Sequence, residues 1–161
     1  MTESKHAIEH AAFALASNPA TDGETLVVKR PADDEHLPGL WGLPATPVEP
    51  SEGVREAVER IGPDKLGVEL EVTGFVGRGT IEREASLLHG ELYEATVVDG
   101  TPEVPQDGAE TPGTQYVDWR WVDDGSLAAT VREIARQGSL CTNLYLESVG
   151  EETYVEYVDV A

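Results

Sequence analysis

The sequence predicts an α/β fold in which a mixed β-sheet has helices packed on both faces. Two observations lead to this prediction. Apolar runs with the spacing of strands stand on both sides of an amphipathic helical segment, and further helical segments follow near the C-terminus. A helix inserted among strands is typical of sheets that are covered on both faces. The 161 residues, 40% of them hydrophobic, suffice for one buried core, so we predict a single domain over 1–161.

The first two strands are predicted to be antiparallel neighbours. Residues 7–16 are largely apolar, a turn follows at Thr21-Asp22-Gly23, and a second apolar run covers 25–29. Apolar runs joined by a segment of Pro, Asp and Gly are typical of strands that pair side by side. The next segment, 37–44 (LPGLWGLP), has too much glycine and proline for a helix.

The spacing from Ser51 to Ile61 predicts the central helix. Ser51 is the expected N-cap, and apolar residues at 54, 57, 58 and 61 form one stripe. We expect Gly62-Pro63 to end or break this helix, because proline lacks the backbone N–H and restricts the residue before it.

The second half of the chain contains four more predicted strands and two more helices. In chain order we expect strands over 68–76 and 85–98, a loop over 99–113, a strand over 115–122, helices over 126–137 and 140–149, and a half-buried edge strand over 153–160. The last of these rests on strict alternation of side chains with a period of two.

The charge and the cysteine count exclude several classes of function. Eleven Lys and Arg residues against 31 Asp and Glu give a formal net charge of −20, which disfavours binding to duplex nucleic acid or to an anionic membrane surface. One cysteine excludes an intramolecular disulfide framework. No apolar run is long enough to span a bilayer, and the first nine residues lack the pattern of a signal peptide. We expect a cytoplasmic protein.

The distribution of charge also predicts that the protein works at high salt concentration. Lysine occurs at only three positions, and the carboxylates are scattered along the chain rather than clustered. An acidic, lysine-poor surface is typical of cytoplasmic proteins from salt-accumulating organisms. In molar salt the Debye length falls to about 3 Å, which screens the mutual repulsion of such a surface.

The chemically informative stretch is 26–67. It contains LVVKRP at 26–31, LPGLWGLP at 37–44 and VEPSE at 48–52, and then a helix of carboxylates and arginines. This stretch resembles the Nudix hydrolase superfamily. Its members share a strand ending in Lys-Arg, a W-x-(L/F)-P-G-G segment and the box G-x5-E-x7-R-E-U-x-E-E-x-G-U, where U is aliphatic. The resemblance covers roughly 7–137 and implies a Nudix-type α/β/α sandwich.

The box is degenerate, and two registers compete. Without gaps, Glu52 matches the first glutamate, Arg60 the arginine and 67–68 the closing Gly-U, while Asp64 and Lys65 stand at the Glu-Glu pair. This register preserves both flanks, although Pro63 then lies inside the box helix.

In the shifted register, five residues are lost and 55–62 (REAVERIG) matches R-E-U-x-E-E-x-G. Arg60 is its only mismatch, but the upstream match at Glu52 is lost. In either register the box lacks at least one carboxylate and has gained a cation.

The resemblance implies metal-dependent hydrolysis of a small nucleotide derivative, namely a nucleoside diphosphate linked to another group. Carboxylates would hold Mg2+ or Mn2+, weakly here because the ligand set is incomplete. The candidate metal ligands are Glu52, Glu56, Glu59 and Asp64; the candidate catalytic residues are Glu52, Glu56 and Arg60; the candidate substrate-binding residues are Arg30 and Trp41. An impaired Nudix-fold nucleotide-binding or regulatory protein is the alternative, and a homodimer is compatible with either.

Overall fold

The computed structural model describes residues 7–21, 23–34, 37–105 and 115–158. Within these ranges the chain forms seven strands and three α-helices. In order they are β1 (Ala7–Ser17), β2 (Glu24–Lys29), β3 (Trp41–Gly42), β4 (Ala45–Pro47), α1 (Val54–Ile61), a π-helical segment (Gly62–Leu66), β5 (Glu69–Glu82), β6 (Ser86–Asp99), β7 (Asp118–Asp123), α2 (Asp124–Arg136) and α3 (Leu140–Ser148).

The strands form one mixed sheet. The order along it is β3-β2-β1-β6-β5, with β4 added to β1 and β7 added to β2. Strand β1 runs parallel to β6 over its whole length, and the remaining pairs are antiparallel, including β1 with β2 as predicted. The mixed sheet of the predicted α/β fold is confirmed.

Helices cover the two faces of this sheet. One hydrophobic cluster packs α1 and the π-helical segment against one face through Val58, Ile61 and Leu66. A second cluster packs α2 and α3 against the opposite face around Phe13 and Leu92. The chain is therefore an α/β/α sandwich, in which a helical layer covers the apolar side chains on each face of the sheet.

The central helix differs from its prediction at its start, and the chain remains helical beyond its predicted end. It begins at Val54 with Gly53 as N-cap, and the Gly53 N–H donates to Glu56 Oε1 at 2.8 Å. Ser51 lies outside the helix and is not its cap. The α-helix ends at Ile61, as predicted from Gly62-Pro63, but the chain continues as a π-helical segment to Leu66. A wider π turn accommodates the proline ring that would clash in a regular α turn.

The predicted strand over 153–160 is also wrong within the described residues, where 153–158 form no strand. The Tyr157 ring lies against the β5 backbone, so that a Cβ atom at Gly79 would meet it at 2.7 Å. One backbone hydrogen bond, from Val158 N–H to Thr80 O at 2.8 Å, joins this tail to β5. The tail thus packs on β5 through its aromatic ring rather than extending the ladder. Of the predicted loop over 99–113, residues 106–113 lie outside the described part.

Candidate functional site

A fork in the sheet creates a cavity next to the predicted site. Strand β1 pairs with β2 in register at Ser17 and Thr25; farther along, β4 pairs with β1 and β3 pairs with β2. The two halves of the sheet separate there, and a cavity of about 710 Å³ opens between them. A cavity of this size accommodates a nucleotide-sized ligand.

The charge of the cavity is opposite to that of the molecule. Among the described residues that line it, Arg30, Lys65 and Arg83 are cationic and only Glu9 is acidic. The whole chain, by contrast, carries 31 acidic residues against 11 Lys and Arg. A concave site with this local excess of cations favours an anionic ligand.

Lys65 is the most deeply buried of these cations. Its side chain is 1% exposed, although lysine is one of the residues least often buried. The Nζ atom lies 5.5 Å from the centroid of the Tyr116 ring, and both residues line the cavity. Burial, with the nearby charges of Arg30 and Arg60, lowers the pKa of Lys65 to about 8. The ammonium form therefore still predominates at pH 7.

Neutral groups complete the wall around Lys65. The Tyr116 hydroxyl accepts a hydrogen bond from Ala45 N–H at 2.8 Å and donates to Ala45 O at 3.2 Å, and burial raises the Tyr116 pKa to about 12. Thr46 lies beside it, 2% exposed, and its Oγ1 has no hydrogen-bond partner among the described residues. Cys141 is also buried in this wall, and burial raises the pKa of its thiol. Tyr116, two residues before β7, thus holds β4 in place through Ala45. Because Thr46 follows Ala45 in β4, the same contact fixes the position of the Thr46 hydroxyl.

The predicted site residues Glu52, Arg60 and Asp64 form an ion-pair network. The Arg60 guanidinium donates to both Glu52 carboxylate oxygens, at 2.7 and 2.9 Å, and to Asp64 Oδ2 at 3.0 Å. Another of its hydrogen bonds reaches Pro47 O at 2.9 Å. These contacts lower the pKa of the Glu52 carboxyl and raise that of Arg60. The network ties the segment before α1 to the π-helical segment after it and occupies both carboxylates with one cation.

Glu56 and Glu59 have separate structural contacts. Glu56 accepts from the Gly53 N–H at the start of α1, and Glu59 Oε2 accepts from Val72 N–H of β5 at 3.1 Å. Glu59 lines a different cavity, together with Glu69 and Asp99. None of the four proposed metal ligands lines the cavity that contains Lys65.

The two predicted substrate-binding residues are placed differently. Arg30 lines the 710 Å³ cavity, and its Nε donates to Asp34 Oδ2 at 3.1 Å. Trp41 does not line this cavity. The Arg120 guanidinium stacks 4.5 Å from the centroid of the Trp41 ring and covers one of its faces.

Comparison with known proteins agrees with this architecture. The family model of the NUDIX domain matches residues 9–137, which is most of the chain. The chain belongs to the Nudix family. Over 80 residues it is 31% identical to the CTP pyrophosphohydrolase of Escherichia coli; this match covers 50% of the chain and 58% of that protein.

Solved Nudix structures share the fold. The MutT protein of Methanosarcina mazei superposes with a TM-score of 0.61 at 19% identity, over 79% of this chain and 85% of that one. A Nudix hydrolase of Nitrosomonas europaea gives 0.61 at 16% identity, over 94% and 93%. At these identities the likeness supports the α/β/α fold alone.

The candidate metal ligands of this Nudix chain are held in contacts with other groups of the protein. Nudix hydrolases generally use divalent ions such as Mg2+ or Mn2+, and such ions need several oxygen ligands at one point. In the described part of the chain no three Asp, Glu, His or Cys residues converge. Arg60 instead stands between Glu52 and Asp64, and Lys65 is buried next to Asp64.

Sequence reasoning missed the burial of Lys65 and Thr46 in the cavity wall. The sequence did carry a signal for Lys65, which follows Ile61 by four residues and so continues the apolar stripe of α1 into the core. The expected helix end at Gly62-Pro63 concealed this. No pattern in the sequence signals Thr46, whose position depends on the pairing of β4 with β1.

Proposed function

We propose that this Nudix protein binds a nucleoside diphosphate linked to another group in the cavity of the sheet fork and cleaves its pyrophosphate linkage slowly. The observation that carries this proposal is the local excess of cations, Arg30, Lys65 and Arg83 against Glu9, in a chain of net charge −20. Anionic phosphate oxygens are the ligand groups that guanidinium and ammonium donors favour. Slow turnover follows from the poor fit of the acidic residues to a divalent ion.

Family membership supports the reaction class. The chain belongs to a family of hydrolases, and one relative is a CTP pyrophosphohydrolase. In this chain, Arg30 would orient the phosphates, because its guanidinium is already fixed by Asp34. The apolar part of the wall, which includes Leu43 and Leu140, would contact the rest of the ligand.

The test is a turnover assay with a panel of nucleoside di- and triphosphates and diphosphate-linked derivatives, in molar KCl with Mg2+ or Mn2+. We expect slow release of a nucleoside monophosphate from some members, and a marked loss with Arg30→Met. Arg132→Met is the matched control, because Arg132 pairs with Glu151 on the surface and does not line the cavity. If no panel member is either hydrolysed or bound, the proposal is refuted.

Nucleotide binding without turnover is the second candidate, and the buried Lys65 favours it. A cation stands next to Asp64, where the gapless register expects a pair of carboxylates. Calorimetry on the same panel separates the candidates. Tight binding with no product after prolonged incubation supports a binding protein, whereas product formation that tracks enzyme concentration supports a hydrolase.

A further inference from the structure

The positive charge of the cavity in the sheet fork comes from side chains of the protein itself. Lys65 is 1% exposed, and its Nζ lies 5.5 Å from the ring centroid of Tyr116, which is itself 1% exposed. Arg30 lines the same cavity from the end of β2. Cationic side chains that line one cavity attract an anionic ligand, because low-dielectric walls focus their field on it.

Thr46 is a second and independent sign of a ligand. Its hydroxyl is buried in the same wall, and within the described residues Oγ1 makes no hydrogen bond. Buried hydroxyl groups nearly always have a partner, because an unsatisfied one costs about 1–3 kcal/mol. A ligand oxygen in the cavity would accept this hydrogen bond.

The acidic residues of the box are directed elsewhere. Glu52 and Asp64 are held by Arg60, Glu56 caps α1, and Glu59 accepts a hydrogen bond from β5. None of these four carboxylates lines the cavity, whereas Lys65 and Arg30 do.

We propose that Lys65 replaces the divalent cation as the counter-charge of the ligand, so that Lys65, Arg30 and the Thr46 hydroxyl bind a diphosphate group without metal. This inference rests on the proposed function, since it concerns the same cavity and a phosphate-bearing ligand. It goes further by making binding independent of Mg2+. It also makes Lys65 the positive counter-charge of the ligand, a role that the carboxylate expected at this position could not perform.

The test measures binding of inorganic pyrophosphate and of a nucleoside diphosphate by calorimetry, with excess EDTA and with Mg2+. Wild-type protein, Lys65→Met, Lys65→Arg and Lys65→Glu are compared at the lowest KCl concentration that keeps each variant folded by circular dichroism. Lys29→Met is the matched control, because it removes the same charge one residue from Arg30 but does not line the cavity.

For wild type we expect the same Kd in EDTA and in Mg2+, within about threefold, and a loss of at least about tenfold in Lys65→Met because a charge-assisted hydrogen bond is removed. Lys65→Arg should retain most of the affinity, and Lys29→Met should bind like wild type. Lys65→Glu should bind nothing in EDTA, since a carboxylate repels phosphate. The melting temperature of each variant separates loss of binding from loss of folding.

Three results would overturn the inference. If EDTA abolishes binding of the nucleoside diphosphate while Mg2+ supports it, a metal is required, and the proposed function stands while this inference fails. If Lys65→Met is folded and binds as wild type does, Lys65 is not the counter-charge. If no probe binds in either condition, the proposed function fails with the inference.

Discussion

At the scale of single residues, the distinctive feature is a pair of cationic side chains, Arg60 and Lys65, in an acidic segment. Their surroundings differ. Arg60 is largely shielded from solvent and joins two carboxylates into a structural clamp, whereas Lys65 is fully buried and lines the cavity. Five positions separate them along the chain, which places them on different sides of the same helical segment. The first cation stabilises the fold, and the second shapes the proposed ligand site.

The clamp predicts a measurable coupling between Glu52 and Arg60. In a double-mutant cycle with Glu52→Gln and Arg60→Met, we expect a coupling free energy of about 1–3 kcal/mol, because the bidentate pair is partly shielded from water. The free energy of unfolding is measured by denaturant titration. The surface pair Arg132 and Glu151, joined at 2.8 Å, is the control and should give less than about 1 kcal/mol. Equal couplings would show that the clamp adds nothing beyond a surface pair.

How far these residues could be predicted depends on local periodicity. Glu52 and Arg60 share no helical spacing, since Glu52 precedes α1, so no local pattern indicates that they pair. Arg60 and Asp64 are four residues apart, a spacing that favours pairing on a helix, and they do pair. The burial of Lys65 could not be predicted once the helix was expected to end before Pro63. The orphaned Thr46 hydroxyl depends on long-range strand pairing, which a local pattern does not encode.

At the scale of secondary-structure elements, α1 and its π-helical continuation position the site. Their apolar side packs against the sheet through Ala57, Val58 and Ile61, which are all 0% exposed. The opposite side carries the charges that pair with neighbouring segments. A continuous apolar stripe therefore determines the direction in which Lys65 points.

Val58→Asp is expected to unfold the domain or destabilise it by at least about 3 kcal/mol, because a carboxylate would be buried without a partner. Arg55→Asp is the control on the exposed face of the same helix and introduces the same side chain. Thermal and urea unfolding of both variants checks the expectation. Similar stabilities would mean that α1 does not pack as described.

Gly62→Ala tests the junction between α1 and the π-helical segment. Alanine normally stabilises a helix by about 1 kcal/mol relative to glycine. Here a Cβ atom would meet Val68 O at 2.5 Å and Leu70 N at 3.1 Å, and backbone atoms cannot move aside cheaply.

We therefore expect Gly62→Ala to lower the free energy of unfolding by about 1–3 kcal/mol. Gly53→Ala, at the N-cap, is the comparison, since a Cβ there would contact only a flexible Glu56 carboxylate at 3.3 Å. A stabilised Gly62→Ala variant would show that the junction is more open than the structure indicates.

Elements governed by local apolar patterning were predicted well, and those governed by long-range packing were not. The paired strands β1 and β2 follow apolar runs, and helix α1 follows an apolar stripe with helical spacing. The tail at 153–158 has the period-two alternation that is typical of a strand, yet Tyr157 packs over Gly79 instead of continuing the ladder. Alternation alone cannot distinguish a strand from an extended segment that lies on a sheet.

At the scale of the whole molecule, the net charge of −20 and the cationic cavity act together. A negative exterior repels phosphate ligands at long range, whereas the cavity attracts them within a few ångströms. Salt shortens the range of the repulsion and leaves buried charges less screened. None of the helices in the described part of the chain has the length and apolarity that crossing a bilayer requires.

We expect the stability of the protein to depend on salt. The melting temperature should rise steeply between about 0.1 M and about 2 M KCl, because the Debye length falls from about 10 Å to less than about 3 Å and the carboxylates stop repelling one another. Calorimetric or circular-dichroism melting across a KCl series measures this. A flat profile would contradict the prediction of a high-salt environment.

Cys141 can report on access to the cavity in the sheet fork. It is the chain's one cysteine, it is 5% exposed, and it lines the cavity of the sheet fork. A thiol-alkylating reagent would reach it only by entering that cavity, so the labelling rate measures how often the fork admits a small molecule. A bound ligand should slow labelling in proportion to its occupancy. The same thiol would allow ligands to be ranked by competition without assuming any reaction chemistry.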